Sequence, residues 1–300
     1  MSNAETLDSR LLQAFPLPDV PEDSGKEDRG RLLVIAGSRE LAGAALLAGV
    51  AALRAGAGKL QIGTGRSVAA TVATLAPESR VVGLAESEGG EITTDARDDV
   101  LALADGAGVV LAGTGLLRPE SSADLLAAFV PSLDGQLVVD ALGSAYLTEN
   151  PDGVRHLAGR CVLTLNQHEV VRTLGDEDVA AAEEAGELDD VDAATRLADR
   201  TRAVVLCGGQ RKVVATPDGN VYVVEEGDAG LGVSGSGDVQ AGLVAGLVAR
   251  GAEPAQAAVW GAFLHGAAGQ RLAESVGRVG FLARELPAAV PALMEGLGGA

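Results

Sequence analysis

A chain of 300 residues that is 47% hydrophobic but only 2% aromatic builds its core mainly from Ala, Val and Leu, and is long enough for one large α/β domain or two small ones. Its formal charge of −19 leaves no basic stripe to neutralise a phosphate backbone or an anionic bilayer, which argues against nucleic-acid and membrane-surface partners. A small nucleotide stays open, because a few local N–H groups hold a phosphate even inside an acidic protein.

Cys161 and Cys207 lie far apart with no CxxC partner or neighbouring His, so neither a disulfide framework nor a zinc site is expected. No signal peptide is recognisable, and residues 1–4 resemble a cloning remnant. The longest apolar runs, 41–53 and 241–248, are too short to span a bilayer, so a cytoplasmic location is expected.

Residues 1–29 carry Pro16, Pro18 and Pro21 among mixed charges, with one apolar patch at 11–15, and read as an N-terminal arm. The run 31–36, closed by Gly37-Ser38, suits a buried strand. Residues 40–54 are apolar on nearly every face, which predicts a helix enclosed by other elements, with Gly43, Ala44, Gly49 and Ala52 permitting close backbone approach. A strand follows at 59–63, a helix at 67–75, an extended run at 80–84 and a helix at 96–104. The strand 108–112 runs into Gly113-Thr114-Gly115, helix 122–130 follows, and strand 136–140 ends on Asp140. Further on come strand 161–164, helix 190–200 and strand 203–207. Runs 212–215 and 220–224 flank Thr216-Pro217-Asp218-Gly219, a hairpin turn. Helices are expected at 238–250, 254–274 and 282–296.

Such alternation predicts an α/β fold: a three-layer α/β/α sandwich on a mostly parallel sheet, with the hairpin as an antiparallel edge. No composition break divides 30–300, so one domain is expected there. In open α/β sheets ligands bind beyond the C-terminal ends of the strands. The notable groups stand at those ends: Gly113 and Gly115, Asp140, Asn166 and Glu169, Cys207-Gly208-Gly209, and the loop Gly235-Ser236-Gly237-Asp238. In that loop glycines let the backbone close on a ligand, the first amides of the following helix suit an anion, and Asp238 sits in the first turn. No P-loop is present, and no GxGxxG follows the first strand. His265, in an apolar run, reads as a packed core or interface residue, and His168 as a cap, surface or ligand residue.

Taken together these segments resemble the nucleotide-dependent NAD(P)H-hydrate dehydratases. The matching elements are Gly37-Ser38, Gly43-Ala44-Ala45-Leu46, and Ala52-Leu53-Arg54-Ala55-Gly56-Ala57-Gly58, followed by Gly113-Thr114-Gly115-Leu116, Val138-Val139-Asp140-Ala141 and Gly235-Ser236-Gly237-Asp238-Val239-Gln240-Ala241-Gly242. Their order and spacing match over 30–295; the epimerase domain fused in front of some members has no counterpart here. The resemblance implies a ribokinase-like fold, a homotetramer, and repair of hydrated NADH or NADPH at the expense of ADP or ATP with Mg2+. It implies Asp238 as acid/base, and Ala44, Gly113, Gly115, Asp140, Asn166 and Glu169 around the hydrate, with no metal-ligand set of the protein's own. Cys207, Gly208, Gly209, Arg211, Lys212, Gly235, Ser236 and Gly237 would surround the nucleotide.

The chain departs from the family pattern at three places. Asn166 stands where a His is usual, Cys207 where a Lys is usual, and Leu142 where a second Asp is usual. Arg211 or Lys212 is the candidate to restore the missing cation. Two other readings are therefore carried alongside the dehydratase: a catalytically impaired nucleotide-binding homologue, and a ribokinase-like small-molecule kinase with Asp238 as base. Apolar Trp260 and Leu264 are expected to be exposed and to support self-association.

Overall fold

The computed structural model describes residues 4–7, 12–13, 15–19, 21, 25–209 and 211–297. Its centre is one sheet of β1 (Ala4–Leu7), β2 (Arg31–Ile35), β3 (Lys59–Gly65), β4 (Ser79–Leu84), β5 (Val109–Ala112), β6 (Gln136–Asp140), β7 (Cys161–Asn166), β8 (Val204–Gly208), β9 (Lys212–Ala215) and β10 (Val221–Val224). The strand order is β1-β10-β9-β8-β7-β6-β5-β2-β3-β4. All pairs are parallel except those that β9 makes with β8 and β10.

Alternation along each strand divides the apolar residues between two cores. In β2, Leu32 and Val34 face one core while Leu33 and Ile35 face the other. The first core is covered by α1 (Ala42–Arg54), α2 (Ala69–Leu75) and three later helices. The second is covered by α3 (Arg97–Ala104), α4 (Pro119–Phe129), α5 (Ala145–Glu149), α6 (Gln167–Leu174), α7 (Glu177–Glu184) and α8 (Asp190–Thr201). The chain then returns to the first face with α9 (Ser236–Ala249), α10 (Pro254–Ser275) and α11 (Leu286–Gly296). The three-layer sandwich expected from the alternation is present.

The hairpin is one strand in from the sheet edge. Its outer strand β10 is paired by β1, with Ala4 opposite Val221 and Leu7 opposite Val224. Part of the segment expected to be an arm or cloning remnant is thus the edge strand, because β10 otherwise leaves a row of unpaired backbone groups. Residues 1–3 of that remnant lie outside the described residues.

The close helix contact runs between α1 and α9, and the glycines it needs are on α9. A Cβ at Gly242 would lie 2.2 Å from the Ala48 carbonyl oxygen, and one at Gly246 would lie 2.4 Å from that of Ala52. Gly43 faces open space and has no part in it. Trp260 and Leu264 are each 0% exposed within the single chain, contrary to expectation. The Trp260 indole donates to the Phe15 carbonyl at 2.8 Å, so the N-terminal segment covers what an oligomer partner was expected to cover.

Candidate active site

The C-terminal ends of β6, β7 and β8 open toward the start of α9. Gly235 enters that helix at φ +88°, and a Cβ there would stand 2.4 Å from Leu47 Cδ1, so only glycine fits the turn. No side chain caps the helix, and Gly237 has nothing within 4 Å of where its Cβ would be. A helix start of this kind offers free backbone N–H groups on an open surface, with the positive end of the helix dipole behind them.

Two cavities adjoin at this turn, and Asn166, Gly208, Gly237 and Gln240 border both. The smaller, about 150 Å³, holds three carboxyl groups, those of Asp140, Glu169 and Asp238. Asp140 is held well above the usual carboxylate range, first by burial and then by the charges of Glu169 and Asp238. A hydrogen bond that its Oδ1 accepts from Thr164 Oγ1 at 3.0 Å opposes this. Burial also raises Glu169, against the backbone N–H of Asn166 that its Oε2 accepts at 2.9 Å. Asp238 is pushed up to about 6, by burial and then by Glu169. Carboxyls crowded in this way cannot all ionise together, and Asp238 changes protonation state close to neutral pH.

The larger cavity, about 1060 Å³, is lined by Gly208, Gly209, Lys212, Ser236 and Gly237, with Arg278 among the residues at its margin. Lys212 is 3% exposed, and its Nζ donates to the Glu226 carbonyl at 2.9 Å. Burial pushes its pKa down to about 8, with Glu226 opposing. Arg278 has its Nε 3.6 Å from an Asp228 carboxylate oxygen.

Several expected site residues fall elsewhere. Cys207 packs with Val205 and Val213 in the second core while its neighbour Leu206 faces the first, and burial pushes its thiol up to about 12. Strand alternation therefore removes it from the cleft. Arg211 points outward, 3.9 Å from Asp190, and is not among the residues that line either cavity. Gly113, Gly115 and Ala44 form a separate close contact beside the carboxyl pocket. A Cβ at Gly113 would lie 2.0 Å from the Asp140 carbonyl oxygen, and one at Gly115 would lie 2.5 Å from Ala44 Cβ. These glycines let β5 end tightly against its neighbours, and neither lines the carboxyl pocket.

Asn166 does border the pocket, but its oxygen is engaged locally. It accepts the Glu169 N–H at 2.9 Å in a capping box that starts α6, a role for which Asn is strongly favoured. Gln240, His265 and Thr164 were missed. A signal for Gln240 existed: Ser236 and Gln240 are four apart in a helix whose only other polar residue is Asp238, which places them on one face.

A family model described as NAD(P)H-hydrate dehydratase matches residues 32–292. The chain belongs to that family. It is 42% identical over 294 residues to the ADP-dependent (S)-NAD(P)H-hydrate dehydratase of Xanthomonas campestris, covering 97% of this chain and 96% of that protein. It is 35% identical over 268 residues to a bifunctional NAD(P)H-hydrate repair enzyme of Moorella thermoacetica, covering 89% of this chain and 50% of that protein. The chain thus spans half of the bifunctional relative's length. The structure of the Bacillus subtilis ADP/ATP-dependent NAD(P)H-hydrate dehydratase co-crystallized with ATP/Mg2+ superposes with a TM-score of 0.78 at 25% identity, over 98% of this chain and 99% of that one. The fold is shared with a ribokinase-like superfamily protein of Enterococcus faecalis, which superposes with a TM-score of 0.80 at 22% identity over 99% of this chain and 97% of that one. Among the described residues no helix is long and apolar enough to cross a membrane.

Proposed function

We propose that this family member removes water from hydrated NADH or NADPH while consuming ADP or ATP, with the hydrate in the carboxyl pocket and the nucleotide in the larger cleft. The observation that carries the reading is the placement of Asp238, a carboxyl pushed up to about 6, between that pocket and an uncapped helix start. Hydroxide is a poor leaving group. As the terminal phosphoryl group moves onto the hydroxyl oxygen, the Asp238 carboxylate takes that oxygen's proton. Phosphate then departs with the electrons of the C–O bond, and the ring loses a further proton to restore its double bond. The amides of Gly237 and Asp238 and the ammonium of Lys212 stabilise the charge that develops on the phosphoryl oxygens.

The glycine-lined cleft with its buried cation fits a nucleotide. Among the described residues no group of three His, Cys, Asp or Glu is arranged to hold a metal ion. Mg2+ would arrive on the nucleotide's phosphates, since this ion is commonly held by one or two carboxylates, phosphates and water. Bound there it would neutralise phosphate charge, held by phosphate oxygens and water.

Lys212 bears on the reading of an impaired homologue, because it puts a cation in the cleft despite Cys207. Supplying hydrated NADH with ADP or ATP and following the return of reduced-nicotinamide absorbance tests the proposal. Recovery that disappears in Asp238→Asn supports it. Nucleotide binding without recovery favours the impaired homologue, and phosphate transfer to a sugar or vitamin hydroxyl favours the kinase. The tetramer rests on the family resemblance, and the cytoplasmic location on the short apolar runs of the sequence; a monomeric mass by light scattering overturns the tetramer.

A further inference from the structure

His265 takes no part in the reaction as proposed, yet it is 5% exposed and contributes to the wall of the nucleotide cleft. Its Nε2 lies 2.9 Å from Ser236 Oγ and 3.1 Å from the Ser236 carbonyl oxygen, while its Nδ1 is buried without a hydrogen-bond partner. The carbonyl oxygen can only accept, so Nε2 carries the proton. The ring is neutral: burial and then the charge of Lys212 hold its pKa down at about 3, with the Ser236 backbone bond opposing. Nδ1 therefore keeps a lone pair. The single Nε2–H is shared between the two Ser236 oxygens, which makes Oγ an acceptor toward the ring. The hydroxyl's own proton must then point elsewhere. The Ser236 N–H is already donated to the Val233 carbonyl at 3.1 Å, and Ser236 borders the cleft beside Gly237.

We propose that His265 is a positioning residue which turns the Ser236 hydroxyl into a fixed donor to a nucleotide phosphate oxygen. The imidazole blocks the inward direction with an N–H and anchors the carbonyl of the same residue. The O–H joins the backbone amides of the α9 start as a further preoriented donor. This deepens the nucleotide site proposed above and rests on it. Preorientation has a physical benefit, because a rotating hydroxyl loses conformational freedom when it binds and a locked one has already lost it.

The experiment is a double-mutant cycle on the full chain, with ADP affinity measured by calorimetry. Ser236→Ala is expected to weaken ADP about tenfold, the effect of one hydrogen bond to a charged group, and His265→Leu about threefold, because the unlocked hydroxyl can still donate but must be ordered on binding. The double variant is expected to bind no more weakly than Ser236→Ala alone, and His265→Gln, whose amide can donate to the same oxygens, to regain most of the loss. A folded His265→Leu that binds ADP as the wild type does, or losses that add in the double variant, overturns the inference. Should His265→Leu not fold, nitrogen NMR of the wild-type imidazoles decides: the proton must sit on Nε2 of a neutral ring, and an imidazolium or an Nδ1–H tautomer overturns it. Failure of the wild type to bind ADP at all overturns the nucleotide site itself, a result distinct from wild-type binding with an indifferent His265.

Discussion

Two helices begin at the same cavities, and they begin differently. α6 is closed by its own side chains: Asn166 accepts the Glu169 N–H, and Glu169 accepts the Asn166 N–H. α9 begins on a left-handed glycine with no side-chain cap. The first arrangement satisfies its donors internally and so builds structure, while presenting the Glu169 carboxyl to the pocket. The second leaves donors for a ligand, at the cost of a cap that typically contributes ~1 kcal/mol. A helix start becomes an anion site only when its own sequence declines to cap it.

The largest expected effect comes from the carboxyl at the uncapped end. Asp238→Asn should lower kcat by roughly 10²–10⁴-fold, the usual contribution of a positioned acid/base. The same variant should be more stable than the wild type. The folded pKa of Asp238, about 6, lies above its ordinary value of 3.8, so ionising it opposes folding. That opposition is absent below the ordinary value and grows as pH rises through the folded one. Melting curves should therefore coincide near pH 3 and separate by about 3 kcal/mol at pH 7, at ~1.4 kcal/mol per unit. Equal stability at both pH values would reject the raised pKa.

Gly235→Ala attacks the turn directly. Strain at φ +88° and the contact with Leu47 should cost about 1–3 kcal/mol and abolish most ADP binding, as read by denaturant titration and calorimetry. Lys212→Met should weaken ADP by roughly tenfold or more, because a charge-assisted bond is lost. In the wild type ADP affinity should fall as pH rises past about 8, where Lys212 loses its proton, and this limb should be missing from the variant. Persistence of the limb would assign the cation elsewhere. The smallest effect belongs to the capped helix: Asn166→Ala should lower stability by ~1 kcal/mol and leave ADP affinity within about twofold. A large loss of ADP affinity there would erase the contrast between the two helix starts.

Much of this was legible along the chain. Strand alternation, the enclosed helices and the glycine loop before Asp238 are local patterns, and they pointed to the strand ends where Asp140, Glu169 and Asp238 border one cavity. The acidic α7 and the short α6 escaped because each has only 8 residues, too short a window for a helical period to stand out, although Val170, Val171 and Leu174 bury one face of α6. Trp260 was misplaced because an apolar helix reads the same whether a partner chain or its own N-terminal segment covers it.

By itself the sequence determined the α/β alternation, the glycine loop before Asp238 and the family, since each rests on residue types at fixed short spacings. The tertiary structure alone decided that β1 closes the sheet beside β10, that Lys212 and not Cys207 or Arg211 lines the larger cavity, and that His265 meets Ser236. These are pairings between residues far apart in the chain. They depend on strand register and on which face of the sheet a side chain occupies, and a shift of one residue in register would reverse every one of those faces.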